Sequence, residues 1–383
     1  MAEGIERFVD QLAGQEFVGD VCRLLDEHLE RGDTAYLAAF GAALHARFGS
    51  GEKGAEHQYL FDRILWDVVT TPGRENIAHA LRLGLATRSR SGRPVRRAAA
   101  VLAAEHPVAD LAVLFAPGPA YDDAPDELRA CLIHELVLRG APVAEQSAVV
   151  DWAARSPFWA GHPLAWLPWS LAPLEGRPDL PRYFRGGAAY GVRYGLPEGD
   201  RLPPGGGPGA VPPPPVRRIN AGADLTPAVE RWARRFNGRV ESAVHVAERP
   251  LDPAVLHPLL ASLPLDCLAG LAVPEHLVVV PGSPGGAWSL LFDAASIGGG
   301  RDDRWCYGAY GRLAAWRSLA ALSGAPDGAS AAEVTRWAEE CAWYGFAAAT
   351  DWFNRDTMDL GILTLAPDRR RLAVLAATDY DGG

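Results

Sequence analysis

The chain has 383 residues, 48% hydrophobic and 22% charged, a composition that excludes a wholly disordered or collagen-like protein. That length accommodates two or three cores at about 100–200 residues per domain. The formal net charge of −10 opposes non-specific attraction to nucleic acid or to an anionic membrane, so neither is expected as a partner.

The first residues, MAEGIERFVDQL, lack the basic and apolar regions of a secretory leader. With no run of about 18 apolar residues, no membrane span is expected and a cytoplasmic location is. From there to about residue 155 the apolar spacing is helical. Phe17, Val21, Leu24, Leu25 and Leu29 recur at three and four residues, with Gly32 as a stop. Leu37, Phe40, Leu44 and Phe48 repeat the pattern, and Leu60, Ile64, Leu65 and Val68 make a third stripe before Pro72-Gly73. Further helices are predicted over 75–88, 94–105, 125–139 and 143–154. No fixed repeat period emerges, so residues 1–170 are predicted to form an irregular all-α helical array. The single lysine, Lys53, lies in a Gly51-Glu52-Lys53-Gly54 turn, which excludes Schiff-base and P-loop lysine chemistry from every other position. His134-Glu135 begins like a zinc-protease motif, but residue 138 is Leu, so the second histidine ligand is missing.

Residues 152–169 carry Trp152, Trp159, Trp166, Trp169 and Phe158, an aromatic plug for a helical face or, alternatively, a ligand cage. Segment 203–215, PPGGGPGAVPPPP, is Pro or Gly at 11 of 13 positions. It is predicted to tether two domains, within a linker region spanning 171–222.

Residues 223–383 are predicted to form a mixed domain, making the protein α+β overall. A helix is expected from Leu225-Thr226-Pro227 to Asn237-Gly238. Strands are expected at 239–247, His276–Val280, Trp288–Phe292, Phe346–Phe353, Gly361–Leu365 and Leu372–Ala377. The last two are expected to form a hairpin turning at Pro367-Asp368. Helices are expected at about 308–323 and 330–342.

The run Phe292-Asp-Ala-Ala-Ser296-Ile-Gly-Gly-Gly300, the helix Gly308-Ala-Tyr-Gly-Arg-Leu-Ala-Ala-Trp316-Arg-Ser-Leu and the ending Leu372-Ala-Val-Leu-Ala-Ala-Thr-Asp379 resemble an uncharacterised actinobacterial family, a domain of unknown function. The resemblance covers about residues 220–383. The ending departs from it, with Tyr380-Asp381 where Thr-Asp is expected. It implies a shared fold unit and brings no catalytic residues to carry over.

Three constellations carry candidate chemistry. Gly298, Gly299 and Gly300 precede Arg301, so backbone N–H groups and a guanidinium can converge on an anion; a strained connector is the alternative. The acidic ending includes Asp351, Asp356, Asp359, Asp379 and Asp381. If the flanking strands share a sheet, Asp351 and Asp379 can meet and hold a divalent metal or share acid/base duty; turn-capping is the alternative. His245 shares a strand face with Glu241 and neighbours Glu248, allowing a His–carboxylate pair. Five dispersed cysteines, 22, 131, 267, 306 and 341, fit reduced thiols and no zinc site. No pattern names a cofactor. The expected function is an interaction protein of immunity or regulatory type, with a protein partner of basic character. The alternative is an enzyme acting on an anionic small molecule, or metal-assisted, with its site in the C-terminal domain.

Overall fold

The computed structural model describes residues 2–11, 19–48, 55–84, 93–118, 121–122, 124–185, 187–189, 195–204, 212–220, 222, 224–234, 238–297, 306–353 and 358–379. The chain forms two compact units. One comprises Met1–Ala165 with Pro181–Tyr190, the other Trp166–Leu180 with Gly191–Gly383. Among the described residues no helix is long and apolar enough to cross a membrane.

The first unit is helical. Helices α1 (Ala2–Gln11), α2 (Gly19–Glu30), α3 (Thr34–Phe48), α4 (Ala55–Thr70), α5 (Arg74–Arg82) and α6 (Arg93–Glu105) are followed by α7 (Val108–Leu111), α8 (Asp126–Leu138), α9 (Ser147–Arg155) and α10 (Pro157–Ala160). The stripes at three- and four-residue spacing bury Leu25, Leu37, Phe40, Leu44, Leu60 and Ile64. Each such side chain contributes about 1.5–3 kcal/mol by leaving water. Helix α8 is buried all round, and its polar residues are tied down accordingly. His134 Nε2 donates to the Leu164 carbonyl at 2.9 Å. Arg129 donates to the carbonyls of Leu114, Ala124 and Tyr121 at 2.6–2.9 Å. A hairpin of β1 (Arg182–Phe184) and β2 (Gly187–Ala189) belongs to this unit.

The second unit is built on a six-stranded sheet of β3 (Val216–Ile219), β4 (Arg239–Ala247), β5 (Leu277–Pro281), β6 (Ala342–Ala348), β7 (Met358–Leu365) and β8 (Arg371–Asp379). Their spatial order is β3-β4-β8-β7-β6-β5, and every neighbouring pair is antiparallel. The alternation of side chains sorts the strands onto two faces. Ala243, Leu372, Val374, Leu363, Tyr344 and Phe346 share a core with α11 (Leu256–Ser262). The other face meets α12 (Pro284–Ile297) and α13 (Tyr307–Ser323), with α14 (Ala331–Glu340) packed on α13. Close approach of α12 and α13 depends on Gly311, where a Cβ would lie 2.9 Å from Ser296 Cα.

The fold is α+β with a helical N-terminal region, as the sequence implies, and β4 spans the predicted 239–247. The hairpin turn at Pro367-Asp368 joins β7 and β8. Three local predictions fail; the strand expected at Phe346–Phe353 is β6 at Ala342–Ala348, and residues 349–353 lie beyond it. Trp288–Phe292 is not a strand but the middle of α12. Its mainly apolar run, broken only by Ser289, arises because the helix is covered on most sides, by α13, by the sheet and by the short 3₁₀ turn Pro173–Glu175. The helix expected from Leu225 is instead a run of turns ending in a 3₁₀ turn at Trp232–Arg234. Residues 205–211 of the Pro/Gly segment lie outside the described residues.

Candidate functional site

Strand β5 passes into α12 through a tight turn. The Gly282 N–H donates to the Trp343 carbonyl at 2.8 Å, extending the β5–β6 ladder by one residue. Ser283 Oγ then accepts from the Gly286 N–H at 3.1 Å, capping the new helix. Beneath this junction opens a pocket of about 450 Å³, within the range of small-molecule sites. Helix α12 contributes Gly286, Ser289, Leu290 and Asp293, which lie on one helical face by their three- and four-residue spacing. Opposite are Trp343 and Gly345 of β6 and Ile362 of β7.

The remaining wall is the strap Gly195–Glu198. Pro197 seats on Gly345, where a Cβ would overlap the proline Cδ, so only glycine admits the strap so close to the sheet. The strap continues to Leu202, whose N–H donates to the Val279 carbonyl of edge strand β5 at 2.8 Å. Glu198 is exposed at the rim.

Asp293 distinguishes this pocket chemically. Among the described residues its carboxylate has neither an ion pair nor a hydrogen-bond partner, although it is largely removed from water. Burial pushes its pKa up to about 7, and the like charge of Asp179 adds to the rise. Among the described residues no lysine, arginine or histidine lines the pocket.

The residues singled out from sequence are placed differently. Gly298, Gly299, Gly300 and Arg301 lie outside the described residues, in the segment that follows α12. Lys53, Asp356 and Asp381 also lie outside them. Asp351 is exposed three residues beyond the end of β6, and Asp379 is half-buried at the end of β8. These termini lie at the same end of the sheet with β7 between them, where Asp379 opposes Met358. Asp359 accepts a hydrogen bond from Thr378 Oγ1 at 2.7 Å. Among the described residues no group of three or more His, Cys, Asp or Glu side chains is arranged to hold a metal.

His245 is buried in β4, opposite Arg218 of β3 and Leu372 of β8. Its Nε2 has no hydrogen-bond partner. Burial, then the Arg218 charge, lowers its pKa, which favours the neutral ring. Glu241 does not reach it. That carboxylate accepts the N–H groups of Asp266 and Cys267 at 2.9 and 2.8 Å, capping the 3₁₀ turn Asp266–Leu268.

Asp293 stands inside the run Phe292–Gly300 that carries the family resemblance, but no chemistry was read from it. The legible signal was a single acid, at position 293, within the otherwise uncharged stretch Pro284–Ile297. A charge there must face solvent, a partner or a cavity. The sequence matches the family described as "Family of unknown function (DUF6183)" over residues 19–381, so the chain belongs to that family, and the match reaches well beyond residues 220–383. No curated protein and no solved structure matches it.

Proposed function

We propose that this protein binds a small organic molecule in the pocket between α12 and the sheet, since membership of a family of unknown function brings no activity with it. The observation that carries the reading is Asp293, an unpartnered carboxylate largely withdrawn from water in a mainly apolar pocket. Desolving a carboxylate without a compensating partner costs several kcal/mol as the ion, or protonates it. Such a cost, left uncompensated beside a cavity of ligand size, marks a functional-site candidate. The same carboxyl, titrating near neutral pH, also suits general acid–base catalysis, which favours an enzyme acting on the bound molecule as the second reading. A basic protein partner, expected from the −10 charge, is a separate proposal, tested by pull-down with and without added salt.

Ligand-observed NMR with a fragment collection tests the pocket reading, using the intact chain and Ser289→Trp. Ser289 is exposed on α12 while lining the pocket, so an indole there fills the space without entering the core. Fragments that bind the unaltered chain and are lost from Ser289→Trp support the reading. Fragments held equally by both, or none held by either, overturn it.

A further inference from the structure

Resting on that pocket reading, we propose that the natural ligand carries a protonated amine on an apolar body, with the ammonium group against Asp293 and the body between α12 and the Trp343 and Ile362 wall. Among the described residues, the charged side chains that line the pocket or act on Asp293 are all acidic. Asp293 lines it, Glu198 stands at its rim, and Asp179 acts on Asp293 through space. Among the described residues, the lining includes no cationic side chain that would neutralise them or would receive an anionic group. An ammonium ion supplies what Asp293 lacks, a charge-assisted hydrogen-bond donor in a site of low dielectric. Trp343 adds an aromatic surface, whose quadrupole attracts cations. Leu196, Pro197, Ala287, Leu290 and Ile362 of the lining offer a ligand only hydrocarbon.

Ammonium binding is coupled to the proton on Asp293. With the carboxyl titrating at about 7 in the free protein, a fraction of the sites are protonated at neutral pH and must release that proton when the cation enters. The other titratable groups near the site among the described residues are Asp179 and Glu198; Tyr344 borders the pocket on β6, but its phenol packs on the opposite face of the sheet, with α11. Burial raises the Tyr344 pKa above its usual value of 10.0, so it stays neutral over this range.

Three probes of matched shape decide the point: 2-phenylethylamine, 2-phenylethanol and 3-phenylpropanoate, titrated at millimolar concentration by calorimetry against the full chain. The amine is expected to bind about tenfold or more tighter than the alcohol, the carboxylate not at all, and amine affinity to fall about tenfold per pH unit below pH 7. Asp293→Asn, checked for an unchanged fold by thermal unfolding, is expected to bring amine and alcohol within about twofold of each other. Alcohol or carboxylate binding as tightly as the amine, and lost in Ser289→Trp, overturns the amine assignment while leaving the pocket reading standing. Failure of all three probes overturns the amine assignment, and the fragment experiment separately decides the pocket. Amine binding that survives Asp293→Asn unchanged also overturns it.

Discussion

Two carboxylates in the C-terminal unit are withdrawn from water, and the protein treats them in opposite ways. Glu175 is 1% exposed and lies against Arg312, itself fully buried. Arg312 Nε and one terminal nitrogen donate to its two oxygens at 2.7 and 2.8 Å, while Trp316 Nε1 and the Ala172 N–H donate at 3.0 and 2.7 Å. The guanidinium also donates to the Pro168 and Ser170 carbonyls at 2.9 Å. Both carboxylate oxygens and four guanidinium N–H groups are used, and the result fastens the 168–175 segment to α13. Asp293, one helix away on α12, has none of this and opens onto a pocket instead. A satisfied buried charge specifies architecture, whereas an unsatisfied one beside a cavity leaves an interaction to be completed by something else.

The largest effect is expected at the satisfied site. Arg312→Ala strands Glu175 as a buried, unpaired charge and should lower stability by about 3–5 kcal/mol, read from the urea unfolding midpoint of the full chain. Replacing both partners together, Arg312→Met with Glu175→Leu, should recover a large part of that loss, because the stranded charge disappears. If Arg312→Ala unfolds like the unaltered chain, the comparison breaks on its structural side.

Asp293 should show a smaller effect with a definite pH signature. Its carboxyl binds a proton more tightly folded than unfolded, with a pKa of about 7 against 3.8. Its contribution to stability is therefore greatest below about pH 4, declines as pH rises between about 4 and 7, and is level above that. Asp293→Asn should remove this decline and leave the variant more stable at pH 8 by on the order of 2 kcal/mol, the roughly 4 kcal/mol of so large a shift being reduced by solvent reaching the half-buried side chain. Equal stability–pH curves for the two proteins would place Asp293 in ordinary water contact. Smallest of all should be Asp20→Ala, which removes an exposed pair with Arg23 in which both side chains are over 70% accessible. Its unfolding curve should be indistinguishable from that of the unaltered chain, because solvent and side-chain entropy cancel such pairs.

What the amino-acid sequence reveals follows the same division. Elements with one wet face were legible. The stripes of α3 and α4, the alternation of β4 and the Pro367-Asp368 hairpin each record a boundary between core and solvent. Helix α12 is ambiguous at Trp288–Phe292 because it is enclosed on most sides, and a short, mainly apolar run fits a buried strand as well as a buried helix. The pocket was illegible for a related reason. Its walls come from 195–198, 281–293, 343–345 and 362, four stretches joined only by the folded sheet. The Arg312–Glu175 pair spans 137 residues and leaves no local pattern. The Glu241–His245 pairing looked sound from strand periodicity, yet the N–H groups of Asp266 and Cys267 compete for the carboxylate and win.

The central claim, that Asp293 is held unpaired in the pocket with its carboxyl ready to be completed by a ligand, is tested most directly by following its own titration. Carboxyl carbon NMR of the full chain, assigned by difference against Asp293→Asn, reports the pKa at that single site. The account predicts a resonance that titrates at about 7 in the free protein and moves toward the ordinary aspartate range when 2-phenylethylamine is added. A resonance that titrates near 4 in the free protein, with no response to the amine, would contradict it.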